Sequence, residues 1–251
     1  MKLLLIDIEN APNLAHVWSL FGVNVSLDQL QEASYMLSWA AKWIDKKEVM
    51  FASIYHDGKD EMLKKLYTLL NEADAVIHYN GERFDIPVIN KELLLESYLP
   101  PSPFHQVDLY KVVKKRFKFT SNKLDHVAGE LGLGKKVAHQ GHTLWVKCMS
   151  GDSNAWTKMK AYNIQDVKLL EKLYKRILPW IQNHPNMGLF TESDKPVCTN
   201  CGCDKLHKHG IETTLTFSYQ RYRCTKCGTP LRGRYTLNGA NKKNILTQSK
   251  L

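Results

Sequence analysis

The stretch Leu3-Leu4-Leu5-Ile6-Asp7-Ile8-Glu9-Asn10 sets two carboxylates into an aliphatic run near the start of the 251-residue chain. Its apolar content reads as a strand, and on a strand residues two apart point to the same side. Asp7 and Glu9 then share one face while Ile6 and Ile8 occupy the other. Carboxylates held that close repel and raise each other's pKa, and a hard divalent cation is the usual way to keep both ionised. An edge strand with two solvated acids accounts for these residues equally well, so the rest of the chain must decide.

Outward from this stretch, Tyr35 to Trp43 and Val49 to Ile54 read as further strands with Asp45-Lys46-Lys47 as the turn between them. Met62, Leu63, Leu66, Leu69 and Leu70 place a helix over 59–71, Ala75 to Tyr79 forms a short strand, and a helix over 87–98 is closed by Pro100-Pro101. Val107-Asp108-Leu109 reads as a brief strand or as the start of a helix. Ser121 or Asn122 can cap a helix holding Leu124, Val127, Ala128 and Leu131, which Gly132 and Gly134 end. The spacing of Val167, Leu170, Tyr174 and Ile177 predicts a long helix over 154–177, stopped by Pro179. Strands first, then strands alternating with helices, indicate a mixed α/β sheet flanked by helices.

Two later segments add acids. His78-Tyr79-Asn80-Gly81-Glu82-Arg83-Phe84-Asp85 leaves a strand through a glycine turn and brings Asp85 to the start of a helix. In Tyr162-Asn163-Ile164-Gln165-Asp166 the tyrosine and aspartate are four apart and so neighbours on one helical face. Taken singly, Asp85 reads as a helix cap and Tyr162 as a packed aromatic. In this order and on these elements, the three segments are hard to explain as accident.

Over about residues 1 to 180 the chain resembles the DnaQ-like, or DEDD, family of 3′–5′ exonucleases, which have a ribonuclease H-like fold. The family's Asp-x-Glu matches Asp7-Ile8-Glu9, its Asn-x-x-x-Phe-Asp matches Asn80 to Asp85, and its Tyr-x-x-x-Asp matches Tyr162 to Asp166. Ala161 stands where the histidine form has its histidine, so the chain looks like the tyrosine form. The opening and Lys123-Leu124-Asp125-His126-Val127-Ala128 are most similar to the YprB-type group, which includes phage-encoded members. The resemblance implies that Asp7, Glu9, Asp85 and Asp166 hold two Mg²⁺ or Mn²⁺ ions about 4 Å apart, with Asp7 bridging. It implies that Tyr162 orients the attacking water, a phenol being a better positioner than base at neutral pH. On the substrate side it places Asn10, Asn80 and Phe84; many relatives carry threonine where Asn10 stands. His78, Tyr79 and Phe84 read either as base-stacking groups or as packing. His139-Gln140-Gly141-His142 reads as a surface loop, with a loop over the active site as the alternative.

Four of the six cysteines form Cys198-x-x-Cys201 and Cys224-x-x-Cys227 with 22 residues between the pairs. Two such knuckles signal a four-thiolate structural Zn²⁺ site, with Cys203 as rival to Cys201 and with a disulfide or iron–sulfur use disfavoured. Thr213 to Arg223, with alternating Leu215, Phe217 and Tyr219, reads as strands of a zinc ribbon. Cys148 reads as a buried small residue. Residues 196 to 251 hold ten Lys or Arg against Asp204 and Glu212, so +8 of the net +10 lies there. Arg221, Arg223, Arg232 and Arg234, interleaved with Tyr222 and Tyr235, suit phosphate contacts and stacking on single strands. A protein-docking face, for instance onto a replication or repair component, is the alternative.

The expected organisation is a nuclease domain over 1–190, a zinc ribbon over 196–237 and a polar tail over 238–251. No apolar run approaches the roughly 18 residues of a membrane helix, and Asp7 and Glu9 cut short the opening imitation of a signal peptide, so a cytoplasmic protein is expected. The expected reaction is metal-dependent removal of nucleotides from 3′ ends, chiefly of single-stranded DNA. RNA trimming or endonucleolytic action on the same centre stands as an alternative, as does a silent nucleic-acid-binding or partner-recruiting protein.

Overall fold

Asp7 and Glu9 lie on the middle strand of a five-stranded sheet. The computed structural model describes residues 1–137, 141–239, 246–247 and 249, and it divides the chain into two compact units, Met1–Lys175 and Arg176–Leu251. Along the first unit run β1 (Leu3–Asn10), β2 (Leu14–Ala15), β3 (Leu30–Glu32), β4 (Met36–Trp43), β5 (Met50–Ser53), α1 (Lys59–Glu72), β6 (Ala75–His78), α2 (Asp85–Leu95), β7 (His105–Asp108), α3 (Leu109–Arg116), α4 (Leu124–Glu130) and α5 (His142–Met149). The helix α6 (Ser153–Ile177) follows, and its last two residues fall in the second unit.

The strand order is β5-β4-β1-β6-β7. β1 pairs antiparallel with β4 and β4 with β5, whereas β6 runs parallel to both β1 and β7. In the antiparallel half a short turn joins β4 to β5, while the excursion through β2 and β3 separates β1 from β4. The α1 and α2 crossovers make the parallel half, since parallel neighbours need a connection long enough to span the sheet. The mixed α/β expectation, a central sheet flanked by helices, is borne out.

Period-two alternation assigns each face. Leu4 and Ile6 pack with Trp39 of β4 and with Met62, Leu63, Leu66, Ile86 and Ile89 on the apolar faces of α1 and α2. On the opposite face, Leu37, Leu144, Cys148, Trp156, Met159 and Tyr162 form a second cluster with α5 and α6. Leu37 reaches that side because the β1–β4 register slips between Glu9 and Asn10, which pair with Ser38 and Met36. The slip leaves Leu37 unpaired opposite the end of β1, a bulge that re-aims side chains beside the carboxylates.

Several expectations are refined. Val107-Asp108-Leu109 is both things at once: β7 ends at Asp108, whose carboxylate caps α3 by accepting from Tyr110 N at 3.0 Å. The cap of α4 is Lys123 rather than Ser121 or Asn122; the Ser121 hydroxyl accepts instead from Lys123 N at 3.3 Å. His139 and Gln140 lie outside the described residues, as do 240–245, 248, 250 and 251 of the expected tail. His142, expected in a loop, opens α5.

The second unit carries an antiparallel sheet in the order β10-β9-β8, formed by β8 (Leu206–Thr213), β9 (Ser218–Cys224) and β10 (Pro230–Thr236). The strands expected within Thr213 to Arg223 are the end of β8 and most of β9, separated by a turn that holds Leu215 and Phe217. Residues 214–217 are the β8–β9 turn, closed by Thr214 N donating to Phe217 O at 2.8 Å, which leaves Leu215 exposed. Among the described residues no helix is long and apolar enough to cross a membrane.

Candidate active site

Asp7 and Glu9 stand at the carboxyl end of β1, and the segment leaving the carboxyl end of the parallel neighbour β6 brings Asp85 beside them. Ligands of α/β sheets bind at such strand ends. The turn after β6 is tightly specified. Asn80 adopts a left-handed φ of 66°, a conformation asparagine tolerates, and its N–H donates to Asp108 Oδ1 at 2.8 Å. A Cβ on Gly81 would lie 2.5 Å from His78 Cγ, so only glycine fits against that ring. Asp85 then accepts at Oδ1 from the N–H of Ile8 at 3.2 Å, which ties the second acidic segment to the first.

The opposite wall is α6. Tyr162 and Asp166 project from one face of it, and Asn163 between them is fully buried. Asn163 Nδ2 donates to the Asp7 carbonyl at 3.2 Å and to Asp7 Oδ2 at 2.7 Å, while its Oδ1 accepts from Ser38 Oγ at 3.2 Å. From α5, Trp145 Nε1 donates to Glu9 Oε2 at 3.1 Å, and its ring meets Tyr162 edge-on at 5.8 Å. Asp7, Glu9 and Asp166 each offer a carboxylate oxygen within 4.8 Å of the others. Asp85 is not part of that closest group and stands as a neighbour anchored to β1.

Lys136 enters the same cluster. Its ammonium forms an ion pair with Asp166 Oδ2 and donates to the Tyr162 hydroxyl at 3.1 Å. Asp7, Lys136 and Tyr162 line a cleft of about 660 Å³ together with Tyr79, Asn80, Tyr110 and Lys123.

Electrostatics follow from this crowding. Burial, reinforced by Glu9 and Asp166, pushes the Asp7 carboxyl well above its ordinary range. Burial and the Asp166 carboxylate raise Glu9 to about 8. Burial also raises Asp85 to about 6, against the pull of the Ile8 N–H, and raises Asp166 despite its lysine partner. Burial opposes the Lys136 charge, yet the Asp166 carboxylate outweighs it and holds the ammonium protonated. Asp166 Oδ1 is buried and has no hydrogen-bond partner among the described residues. A buried carboxylate oxygen without a donor is costly unless a cation meets it. Closely spaced acids with raised pKa values and an orphaned oxygen fit a hard divalent ion.

The substrate-side expectations separate. Asn10 Oδ1 is buried without a partner among the described residues, and Phe84 is 56% exposed with the Arg83 guanidinium over its ring. His78 follows the packing alternative. It is fully buried, contacts Gln106 Oε1 at 3.1 Å and accepts from Gly81 N, so it offers no face to a base. Tyr79 lines the cleft, with its hydroxyl held by Asn122 O. Lys136, Asn163 and Trp145 carry no sequence signal of a site: the second lysine after Gly-Leu-Gly looks like surface charge, and an asparagine within a tyrosine–aspartate motif looks like filler.

In the second unit, Sγ atoms of Cys198, Cys201, Cys224 and Cys227 lie mutually within 4.8 Å, a group that does not include Cys203. Each knuckle closes the same way: Gly202 N donates to Cys198 O and Gly228 N to Cys224 O, both glycines at left-handed φ of 69° and 80°. Burial would raise the Cys224 thiol, but hydrogen bonds from the Cys227 and Lys226 backbone outweigh it and bring it down to about 7. This cluster is compatible with a zinc ribbon. Arg221 and Arg223 lie on β9, and Arg232 and Arg234 on β10; Arg232 lies 4.3 Å from the centre of the Tyr219 ring and pairs with Glu212 at 3.1 Å.

A mixed sheet with acids gathered at the ends of its parallel strands agrees with a family match over residues 24–178, more than half of the chain: the protein belongs to the RNase_H superfamily. Among curated proteins, a DNA polymerase of Methanocaldococcus jannaschii is 26% identical over 182 residues, covering 62% of this chain and 11% of the polymerase. Among solved structures, the family B DNA polymerase from the hyperthermophilic archaeon Pyrobaculum calidifontis aligns with a TM-score of 0.54 at 19% identity, covering 71% of this chain and 24% of that one. The latter likeness is one of fold. This chain spans only a small part of either polymerase.

Proposed function

We propose that this protein is a metal-dependent nuclease that removes nucleotides from 3′ ends, with single-stranded DNA as its substrate. The observation that carries the reading is the meeting of Asp7, Glu9 and Asp166 beside a cleft that Asp7 and Tyr162 line, with an orphaned buried oxygen on Asp166. Asp7, Glu9, Asp85 and Asp166 would hold Mg²⁺ or Mn²⁺, which when bound supplies an activated water and charge stabilisation at phosphorus. The chain's own groups set the geometry. Asn163 fixes the Asp7 carboxylate, Trp145 fixes Glu9, and the Ile8 N–H fixes Asp85. Tyr162 holds its hydroxyl at the cleft, where it can orient a water by hydrogen bonding. Asn10, Asn80 and Phe84 are assigned to the terminal nucleotides. The four-cysteine cluster is assigned one structural Zn²⁺, and the arginines of β9 and β10 add sequence-independent affinity for the strand. Similarity to the DNA polymerase of Methanocaldococcus jannaschii supports DNA over RNA.

The test is a time course on 5′-labelled single-stranded DNA and RNA of one sequence, with Mg²⁺, Mn²⁺ or chelator, beside Asp7→Ala protein. The expected result is a ladder shortening from the 3′ end of DNA that requires both metal and Asp7. Internal cuts, or a ladder on RNA alone, would replace the exonuclease assignment. Binding without cleavage of either polymer would overturn the enzymatic reading.

A further inference from the structure

Lys136 is built into the acidic centre rather than draped over it. Its N–H donates to Asp125 Oδ1 on α4 at 3.0 Å, Gln165 Nε2 on α6 donates to Lys135 O at 3.1 Å, and Lys172 Nζ donates to Leu133 O at 3.0 Å. Three tethers from two helices thus fix residues 133–136, and they deliver the ammonium to Asp166 and Tyr162. Asp166 is 2% exposed in its side chain, with Oδ2 taken by Lys136 and Oδ1 left without a donor. Two divalent ions would neutralise the four carboxylates by themselves. The lysine charge is then surplus in a poorly solvated place, and like charges there repel strongly.

Resting on the metal-dependent reading above, we propose that Lys136 is an internal cation occupying Asp166, so that the centre takes one divalent ion readily and a second only in exchange for the lysine. Lys136 is therefore a positioning residue. Without metal it holds Asp166 and Tyr162 in place, and on loading it leaves Asp166 and is freed toward the cleft. An ion that must displace a resident cation binds with an apparent affinity reduced by the fraction of protein in which the site is vacated.

The test uses the full chain, titrated with Mn²⁺ by calorimetry and by electron paramagnetic resonance, without nucleic acid. Wild-type protein should bind one ion per chain, with the second at least about tenfold weaker, and Lys136→Gln should bring the second to comparable affinity. Lys136→Arg should behave as wild type. Lys136→Gln with the stoichiometry and affinities of wild type overturns the proposal alone. Absence of Mn²⁺ binding by either protein overturns the metal-dependent reading together with it. A measurement on wild type covers the case in which the variants do not fold: acetylation of Lys136, read by mass spectrometry, should rise several-fold when Mn²⁺ saturates the protein. Unchanged labelling overturns the exchange.

Discussion

Raising the pH in the absence of divalent metal should destabilise the first unit, and Glu9 sets the scale. Its carboxyl has an ordinary value of 4.5 and stands at about 8 in the folded protein, because burial and Asp166 disfavour the charge. Below about pH 4.5 both folded and unfolded chains hold the proton, so Glu9 has no effect. Between 4.5 and 8 the unfolded chain releases it while the folded chain keeps it, so stability falls as pH rises; above 8 both are ionised and the loss is complete. At about 1.36 kcal/mol per pKa unit the shift corresponds to roughly 3 to 5 kcal/mol, the lower figure allowing for screening at the partly exposed side chain. Asp7, Asp85 and Asp166, all raised, act in the same direction. For a unit of this size that is a fall in Tm of about 6 to 20 °C. Calorimetry from pH 5 to 8.5 in chelator, on wild type and Glu9→Gln, measures it. The variant should lose much of the slope and melt higher than wild type at pH 8.5. A metal-free wild-type Tm that is flat or rises across this range, or a Glu9→Gln slope equal to wild type, would refute the account of a crowded, poorly solvated centre. Adding Mn²⁺ should restore stability most at high pH, where the ligands are already deprotonated.

Other perturbations separate the parts. Gly81→Ala drives a Cβ into the buried His78 ring and should cost about 1–3 kcal/mol in urea unfolding, while lowering activity by shifting Asp85; unaltered stability and rate would show that the turn yields freely. Trp156→Ala removes a side chain 1% exposed that stacks on Tyr55 and donates to Cys148 O, and about 3–5 kcal/mol should be lost from the first unit's unfolding transition. Cys201→Ser should abolish tight Zn²⁺ retention and melt the second unit, because metal binding supplies most of the folding free energy of so small a sheet. Elemental analysis and proton NMR check this, and a variant that keeps zinc and native β8–β10 signals would assign the ligand to Cys203 instead.

Much of this molecule is written locally. The alternation in residues 3–10 puts both acids of β1 on one face, and the three- and four-residue spacing of α6 stacks Tyr162 over Asp166. The two Cys-x-x-Cys knuckles carry their own turn chemistry in Gly202 and Gly228. Such features depend on neighbours a few residues away, so a sequence displays them. The differences fall where local signals compete. Ser121 and Asn122 are good capping types, yet the cap is Lys123, and Leu215, Phe217 and Tyr219 alternate as strand residues do although the chain turns between Thr214 and Phe217.

The sequence by itself placed Asp7 and Glu9 on one face of a strand, Asp85 at the start of a helix, Tyr162 and Asp166 on one helical face, and most of the positive charge in the last segment. Only the tertiary structure decided that Asp7, Glu9 and Asp166 meet while Asp85 anchors to Ile8, that Asn163 and Trp145 clamp the first two acids, and that Lys136 occupies Asp166. The physical reason is that these are contacts across crossovers and between opposite walls of a cleft. Their partners are fixed by the sheet order and by a bulge at the end of β1, and no spacing along the chain encodes them.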